Sequence, residues 1–301
     1  MRLDTHVHSC YSGHSTIRGL KGFLRESYST PERVYRLAKS RGMDLVTITD
    51  HDAIEGALTI AHLPDVIIGC EVTGTFVDDG VQVHLGVLGL NERQFAEINR
   101  LRHDIRELLP YLRHERLFVS LNHVASRVNR WIRAEHVAAL MPWIDGLEVI
   151  NGSRLRSQNR TAYRLALANG KARMAGSDAH TSRGIGQTWV ESRSARTRDE
   201  FMDELRARRV TPGGRHGHFF TMAEDIVRSY AGLYLEHATH VASDPLIWRP
   251  QARMAVLLAA SPMLTLAFAA AAAHFGMEMQ FNRALLFELG RRPALNVAGL
   301  A

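Results

Sequence analysis

A series of short apolar runs, each finishing on residues able to hold a metal or move a proton, limits what this chain can fold into more than any other feature. Met1-Arg2-Leu3 leads into Asp4-Thr5-His6-Val7-His8-Ser9. Leu45-Val46-Thr47-Ile48-Thr49 closes on Asp50-His51-Asp52, and Val66-Ile67-Ile68-Gly69-Cys70 closes on Glu71. Val81 to Val87 carries His84 inside it, and Leu117 to Leu121 ends at Asn122-His123. Gly146-Leu147-Glu148-Val149-Ile150 ends at Asn151, and Arg173-Met174-Ala175 runs into Gly176-Ser177-Asp178-Ala179-His180. Runs of this length, rich in β-branched residues, read as strands.

Between them lie helical segments. Thr30-Pro31-Glu32 reads as an N-cap with proline in the first turn, opening a helix through Ser40 that Gly42 ends, and a long amphipathic helix is expected over Glu92 to Glu115. Alternating strands and helices predict a parallel, barrel-like α/β fold. In such barrels the loops at the strand C-terminal ends converge on the active site, which is where the polar residues cluster here. With 16 histidines in 301 residues a lone His-x-His means little. The recurrence at successive strand ends is what carries weight. Alternate side chains of a strand share a face, so His6 and His8 point the same way, and the Ser12-Gly13-His14 loop can fold back over them.

Two cysteines, Cys10 and Cys70, exclude a disulfide framework and suggest a reducing compartment. No basic stretch followed by an apolar one opens the chain, so a cytoplasmic location is expected. The net charge of +6 favours anionic partners such as phosphorylated metabolites, nucleic acid or an acidic membrane face, without choosing among them.

Taken together, Asp-x-His-x-His-Ser at 4–9, Thr-Asp-His-Asp at 49–52, Gly-x-Glu at 69–71, His84, Asn-His at 122–123 and Gly-Ser-Asp-Ala-His at 176–180 resemble the polymerase-and-histidinol-phosphatase (PHP) family over about residues 1 to 190. The resemblance implies a distorted seven-stranded (β/α)7 barrel with a centre of two or three divalent metal ions. Its implied ligands are His6, His8, His14, His51, Glu71, His84, His123, Asp178 and His180. One departure is Val124, which follows His123 where the family often has proline.

The chemistry of the residues agrees. Mixed imidazole and carboxylate donors suit Mn, Zn or Fe, and the scarcity of thiolates argues against structural zinc. Ions bridged by Glu71 or Asp178 could hold a hydroxide and neutralise a phosphoryl oxygen, which makes in-line attack on phosphorus the natural reaction. Asp50, His51, Asp178 and His180 form the candidate catalytic set, with a histidine of the site aiding the leaving group. Asp4 and Asp50 are expected to orient imidazoles. Arg127, Arg130, Arg154 and Arg183 follow strand ends and could grip a phosphate, Arg154 and Arg183 foremost, while Asn151 and Ser153 could add hydrogen bonds to phosphate or ribose.

From about Arg209 the character changes, which divides the chain into a metal-dependent hydrolase domain at 1–208 and a helical C-terminal extension at 209–301. Thr211 to His218 reads as a Gly-rich basic linker. Helices are expected at Thr221–Leu235, from Pro250 to about Phe275, and at Met279–Leu289, and His237, His240 and His274 show no ligand pattern. Met254 to Ala273 has no charge, so it reads as a buried or oligomer-forming hairpin, a peripheral membrane segment or a disordered tail, with the buried reading preferred.

The expected activity is that of a metal-dependent phosphoesterase acting through a metal-bound hydroxide on a phosphomonoester of a small metabolite or nucleotide. Its rivals are a 3′ or 5′ exonuclease-type phosphodiesterase on short nucleic acid, and a non-catalytic module whose C-terminal helices bind a partner, a second copy or a membrane. The basic balance allows the nuclease, but no aromatic-interleaved basic stretch supports it.

Overall fold

The apolar runs form strands and the strands curl into a barrel. The computed structural model describes residues 1–14, 25–129, 131–221, 223–225, 227–228, 263–292 and 295. Arg130, His237, His240, much of the helix expected over Thr221–Leu235 and the first part of the stretch from Met254 lie outside the described residues. Strands β1 (Arg2–Leu3), β2 (Val46–Ile48), β3 (Val66–Thr75), β4 (Gln82–Leu88), β5 (Phe118–Leu121), β6 (Gly146–Asn151) and β7 (Ala172–Gly176) fall on the expected runs, except that β3 continues past Glu71 to Thr75 and so carries Glu71 in its interior.

A six-stranded sheet runs in the order β2-β3-β4-β5-β6-β7. The extended chain from Arg2 to His8 lies between its two edges. On one side Leu3 bridges Leu45, and the Thr49 N–H donates to the Val7 carbonyl at 2.8 Å. On the other, Val7 bridges Ala179, the Asp178 N–H donates to the His6 carbonyl at 2.8 Å, and the His8 N–H donates to the Ala179 carbonyl at 3.2 Å. These contacts close the sheet into a distorted seven-stranded barrel and carry His6 and His8 to its mouth.

The barrel is not wholly parallel. β4 runs antiparallel to both β3 and β5. Thr75 and Gln82 are separated by residues 76–81, too few for the crossover that parallel strands need. Strands β8 (Thr188–Glu191) and β9 (Thr211–Gly214) form a second sheet with β1, in the order β1-β8-β9. Thr211–Gly214, expected as linker, is therefore a strand, its backbone pairing with β8 despite its weak strand composition.

Around the barrel lie α1 (Pro31–Ser40), α2 (Glu55–Thr59), α3 (Glu92–Leu101), α4 (Ile105–His114), α5 (Ala134–Leu140), α6 (Arg156–Ala168), α7 (Arg198–Arg206) and α8 (Met263–Gly290). Thr30 caps α1 as its sequence suggests, accepting from the Arg33 N–H. The single helix expected over Glu92–Glu115 is split, because Asp104 accepts the Arg106 N–H and starts a new helix. Such a side chain competes for the backbone in mid-helix and serves better as a cap.

Leu85, Val87, Leu108, Leu121, Leu147 and Leu165 pack one side of the barrel, and Leu3, Phe118, Met174, Phe201 and Leu205 pack another. Phe281, Leu285 and Leu289 of α8 join the first of these cores. The two helices expected on either side of Gly276 are one continuous helix, a glycine in a helix interior costing only about 1 kcal/mol. Among the described residues no helix is long and apolar enough to cross a membrane.

Gly176 sits where the first strand meets β7. A Cβ there would lie 2.3 Å from the His6 Cβ and 2.7 Å from the His6 backbone nitrogen. Gly176→Ala should destabilise the protein by about 1–3 kcal/mol, read as a lower denaturation midpoint in urea; an unchanged midpoint would mean that the closure of the barrel yields freely.

Candidate metal centre

The site is built at the strand ends, where the backbone is fixed by the barrel and the side chains are free to converge. His6 and His8 come from the first strand, His51 from the end of β2, Glu71 from β3, His84 from β4, His123 from the end of β5, and Asp178 and His180 from the turn after β7. His6, His8, Glu71, His123 and Asp178 are buried; His51, His84 and His180 are half-buried at the open edge.

Glu71 is the hub. Its Oε2 lies 3.2 Å from His6 Nε2, 3.5 Å from His8 Nε2 and 3.1 Å from His51 Nδ1, while its Oε1 lies 2.9 Å from His123 Nε2 and 3.5 Å from His84 Nδ1. Asp178 Oδ1 is 3.6 Å from His6 Nε2, 3.4 Å from His8 Nε2 and 3.6 Å from His180 Nδ1. The His8 ring stacks against those of His51 and His180, with centroids 4.5 and 4.2 Å away. His123 and Asp178 both have positive φ, 27° and 50°, a conformation that bulky residues adopt at a cost and that tends to mark functional sites.

Four overlapping groups could each share one ion: His6-His8-Glu71, His6-His123-Asp178, His51-Glu71-His84 and His8-His51-His180. His14 is not brought to any of them; it is exposed and forms a backbone bridge with Arg25. A further group, Asp79-Glu135-His136, lies apart on the surface, where Arg133 pairs with both acids.

The donors fit divalent cations. Glu71 Oε2, His84 Nδ1 and His123 Nδ1 are buried without a hydrogen-bond partner, and His6 Nε2 and His8 Nε2 face each other at 3.0 Å. Burial pushes the Glu71 carboxyl up, but His6, His84, His51 and His123 outweigh it and hold the group well below the usual carboxylate range. Asp178 is likewise held well down, burial being overcome by His6 and Arg154. Burial drives His51 well below the ordinary imidazole value and takes His8 to about 3. His6 differs: burial lowers it, yet Glu71, Glu148 and Asp178 together raise it well above that value. Ionised carboxylates among mainly neutral imidazoles are the form in which these groups bind metal.

Neighbouring side chains aim the cluster, and of these Asn129 is the one that no sequence motif marks. Glu148 Oε1 lies 2.9 Å from His6 Nδ1, and its Oε2 accepts from the His123 N–H and from Asn151 Nδ2. Asn122 Nδ2 donates to Glu71 Oε1 at 2.9 Å. Asn129 accepts the His84 N–H through Oδ1 and donates through Nδ2 to the His123 carbonyl.

Asp4 and Asp50, expected to orient imidazoles, do otherwise. Asp4 accepts the backbone N–H groups of Ser177 and Gly186, at 2.8 and 2.7 Å. Asp50 accepts from the Ser9 N–H and hydroxyl and from the Ser12 hydroxyl, and reaches His8 only through Ser12, whose Oγ is 2.9 Å from His8 Nδ1.

Of the expected substrate-binding arginines among the described residues, Arg154 is the one paired with a residue of the cluster. Its Nη2 lies 3.2 Å from Asp178 Oδ2, and its buried Nε has no partner. Asn151 is engaged by Glu148 and Asp178, Ser153 donates to the Asp178 and Ser177 carbonyls, and Arg183 pairs with Glu224 at 2.9 Å. The Arg127 guanidinium lies 5.0 Å from the centre of the Trp131 ring.

Residues 156–210 match a family model described as PHP-associated. An 80-residue stretch is 34% identical to an uncharacterized protein of Methanocaldococcus jannaschii, covering 25% of this chain and 46% of that protein, so the chain spans about half the length of this curated relative. Among solved structures, PsfC from Pseudomonas syringae is 17% identical with a TM-score of 0.50, covering 71% of this chain and 91% of its own. A two-domain protein of Bacteroides vulgatus described as containing a predicted PHP-like metal-dependent phosphoesterase is 18% identical with a TM-score of 0.49, over 71% of this chain and 65% of its own.

Because His6 is held protonated without metal, ligation must expel that proton, and affinity should rise with pH through the range above the ordinary imidazole value. Calorimetric titration with Zn2+ in buffers of different ionisation enthalpy should show proton release. A binding heat independent of buffer would remove His6 from the ligand set.

Proposed function

We propose that the chain is a PHP-type metal-dependent phosphoesterase that hydrolyses a phosphomonoester of a small metabolite or nucleotide, a reading supported by the PHP-associated match over residues 156–210. The observation that carries this reading is the convergence of five imidazoles on the two oxygens of buried Glu71. His6, His8, His51, Glu71, His84, His123, Asp178 and His180 would hold two or three divalent ions, Mn, Zn or Fe. Such ions supply Lewis acidity, activating water near neutral pH and neutralising charge on a phosphoryl oxygen.

The chain's own groups do the rest. Glu148 fixes the His6 ring by its contact at Nδ1, leaving Nε2 directed into the cluster. Arg154 holds Asp178 in its ionised form, and its guanidinium supplies positive charge beside the cluster for an anionic phosphoryl group. His51, His84 and His180 lie at the half-buried edge of the cluster, and the packed barrel core lies below it.

Asp178→Asn keeps the shape of the side chain and removes its charge. Phosphate release from a panel of mono- and bisphosphates should fall by about a hundredfold or more, with less metal retained by plasma mass spectrometry. Full hydrolysis by this variant would show that the activity lies elsewhere.

A further inference from the structure

The chain segments that carry His84 and His123 also supply Val81, three residues before the first, and Arg127, four after the second, to the wall of a groove of about 710 Å3 that the phosphate chemistry alone does not use. Its walls are Val81 in the turn between β3 and β4, Arg127, Trp131 and Ile132 after β5, and Met277 and Phe281 of α8. A volume of this size suits a small planar molecule or group.

Trp131 is the unusual member. It is 65% exposed, although a ring of that size normally gains from burial, and its backbone has φ of 65°. A bulky residue in the left-handed region costs about 1–3 kcal/mol, which persists where the surroundings impose it and which clusters at ligand sites. Arg127 lies against the ring, and Phe281 meets it edge-on at 6.4 Å between centroids.

The groove is tied directly to the metal centre. Asn129, two residues before Trp131, holds the His84 N–H at 3.0 Å and the His123 carbonyl at 3.1 Å, so Trp131 lies within about 7 Å of that anchor by chain reach. Glu278 of α8, buried, accepts from the Arg127 N–H, the Ser126 hydroxyl and Gln158 Nε2, and so locks α8 against the loop that follows His123. The acids of the rim are engaged internally: Asp79 by Arg133 and His136, and Glu288 by the Ala134 N–H. Arg127, whose guanidinium lies over the Trp131 ring, brings a positive charge to the groove, and Glu288 keeps its negative one.

We infer that this groove is a nucleobase subsite with Trp131 as its stacking platform, so that the phosphoester cleaved beside it belongs to a nucleotide. The inference rests on the phosphoesterase reading for the chemistry but not for the binding. An exposed indole flanked by a guanidinium is the usual receptor for a base attached to a phosphate, because every base offers a π-face and the arginine adds attraction for the anion. Arg127 and Trp131 stand four positions apart in the sequence, and the fold adds Met277 and Phe281 from about 150 positions away.

The test uses the full-length, metal-loaded protein and the phosphonate analogue of AMP in which a methylene replaces the ester oxygen. Calorimetry should show Trp131→Ala binding this analogue about tenfold or more weaker than wild type, with Trp131→Phe close to wild type. In steady-state assays Trp131→Ala should raise KM for AMP with kcat held, and leave ribose 5-phosphate, which has no base, unaffected. Equal binding of the analogue by wild type and Trp131→Ala, or equal impairment toward AMP and ribose 5-phosphate, would overturn the subsite. Wild-type protein that binds the analogue through Trp131 yet hydrolyses no phosphoester would overturn the phosphoesterase reading alone. Single-stranded tetraadenylate binding tighter than the AMP analogue, with a steep loss in salt, would identify the end of a nucleic acid as the source of the base, and no gain over the analogue a free nucleotide.

Discussion

A buried carboxylate within 3.5 Å of five imidazole nitrogens is the interaction around which this molecule is arranged. Left to itself such a group is costly, since burial penalises the charge and an imidazole–carboxylate array in low dielectric needs every member satisfied. Glu71 is nonetheless held ionised by its histidine neighbours, and one of its oxygens lacks a hydrogen bond. A divalent cation would resolve both conditions at once.

The barrel exists to deliver that arrangement. Five of the barrel strands or the turns after them supply the ligating side chains together with the extended chain at His6 and His8, and the neighbouring amides and carboxylates, Asn122, Asn129, Glu148 and Asn151, bind them to one another and to the backbone. The positive φ of His123 and Asp178 is held by the same contacts: the His123 N–H donates to Glu148 and the Asp178 N–H to the His6 carbonyl. α8 belongs to this framework through Glu278, whose carboxylate joins the loop after His123 to the first turn of α6.

Strands and candidate ligands were legible because both are local. An apolar run ending in Asp-His-Asp or Asn-His states its strand and its side chains within ten residues, and those strand-end residues other than His14 meet in the structure. What the sequence hid depends on distance. Glu148 was visible as a polar residue in a strand, but its partnership with His6 spans 142 positions, and that of Glu278 with Ser126 spans 152. The direction of β4 was readable in principle from the short connection before it, whereas β9 was not, since Thr-Pro-Gly-Gly becomes a strand only because β8 offers its edge. Asp4 looked like an imidazole partner by proximity along the chain, and its carboxylate instead secures the turn after β7 and Gly186.

The most direct measurement is an anomalous difference map from a crystal of the full-length protein grown with Zn2+. Two or three peaks should flank Glu71, within about 2.0–2.2 Å of its oxygens or of the nitrogens of His6, His8, His51, His84, His123 or His180. Density confined to the surface group Asp79-Glu135-His136, or none at the strand ends, would contradict the metal centre and with it the proposed chemistry.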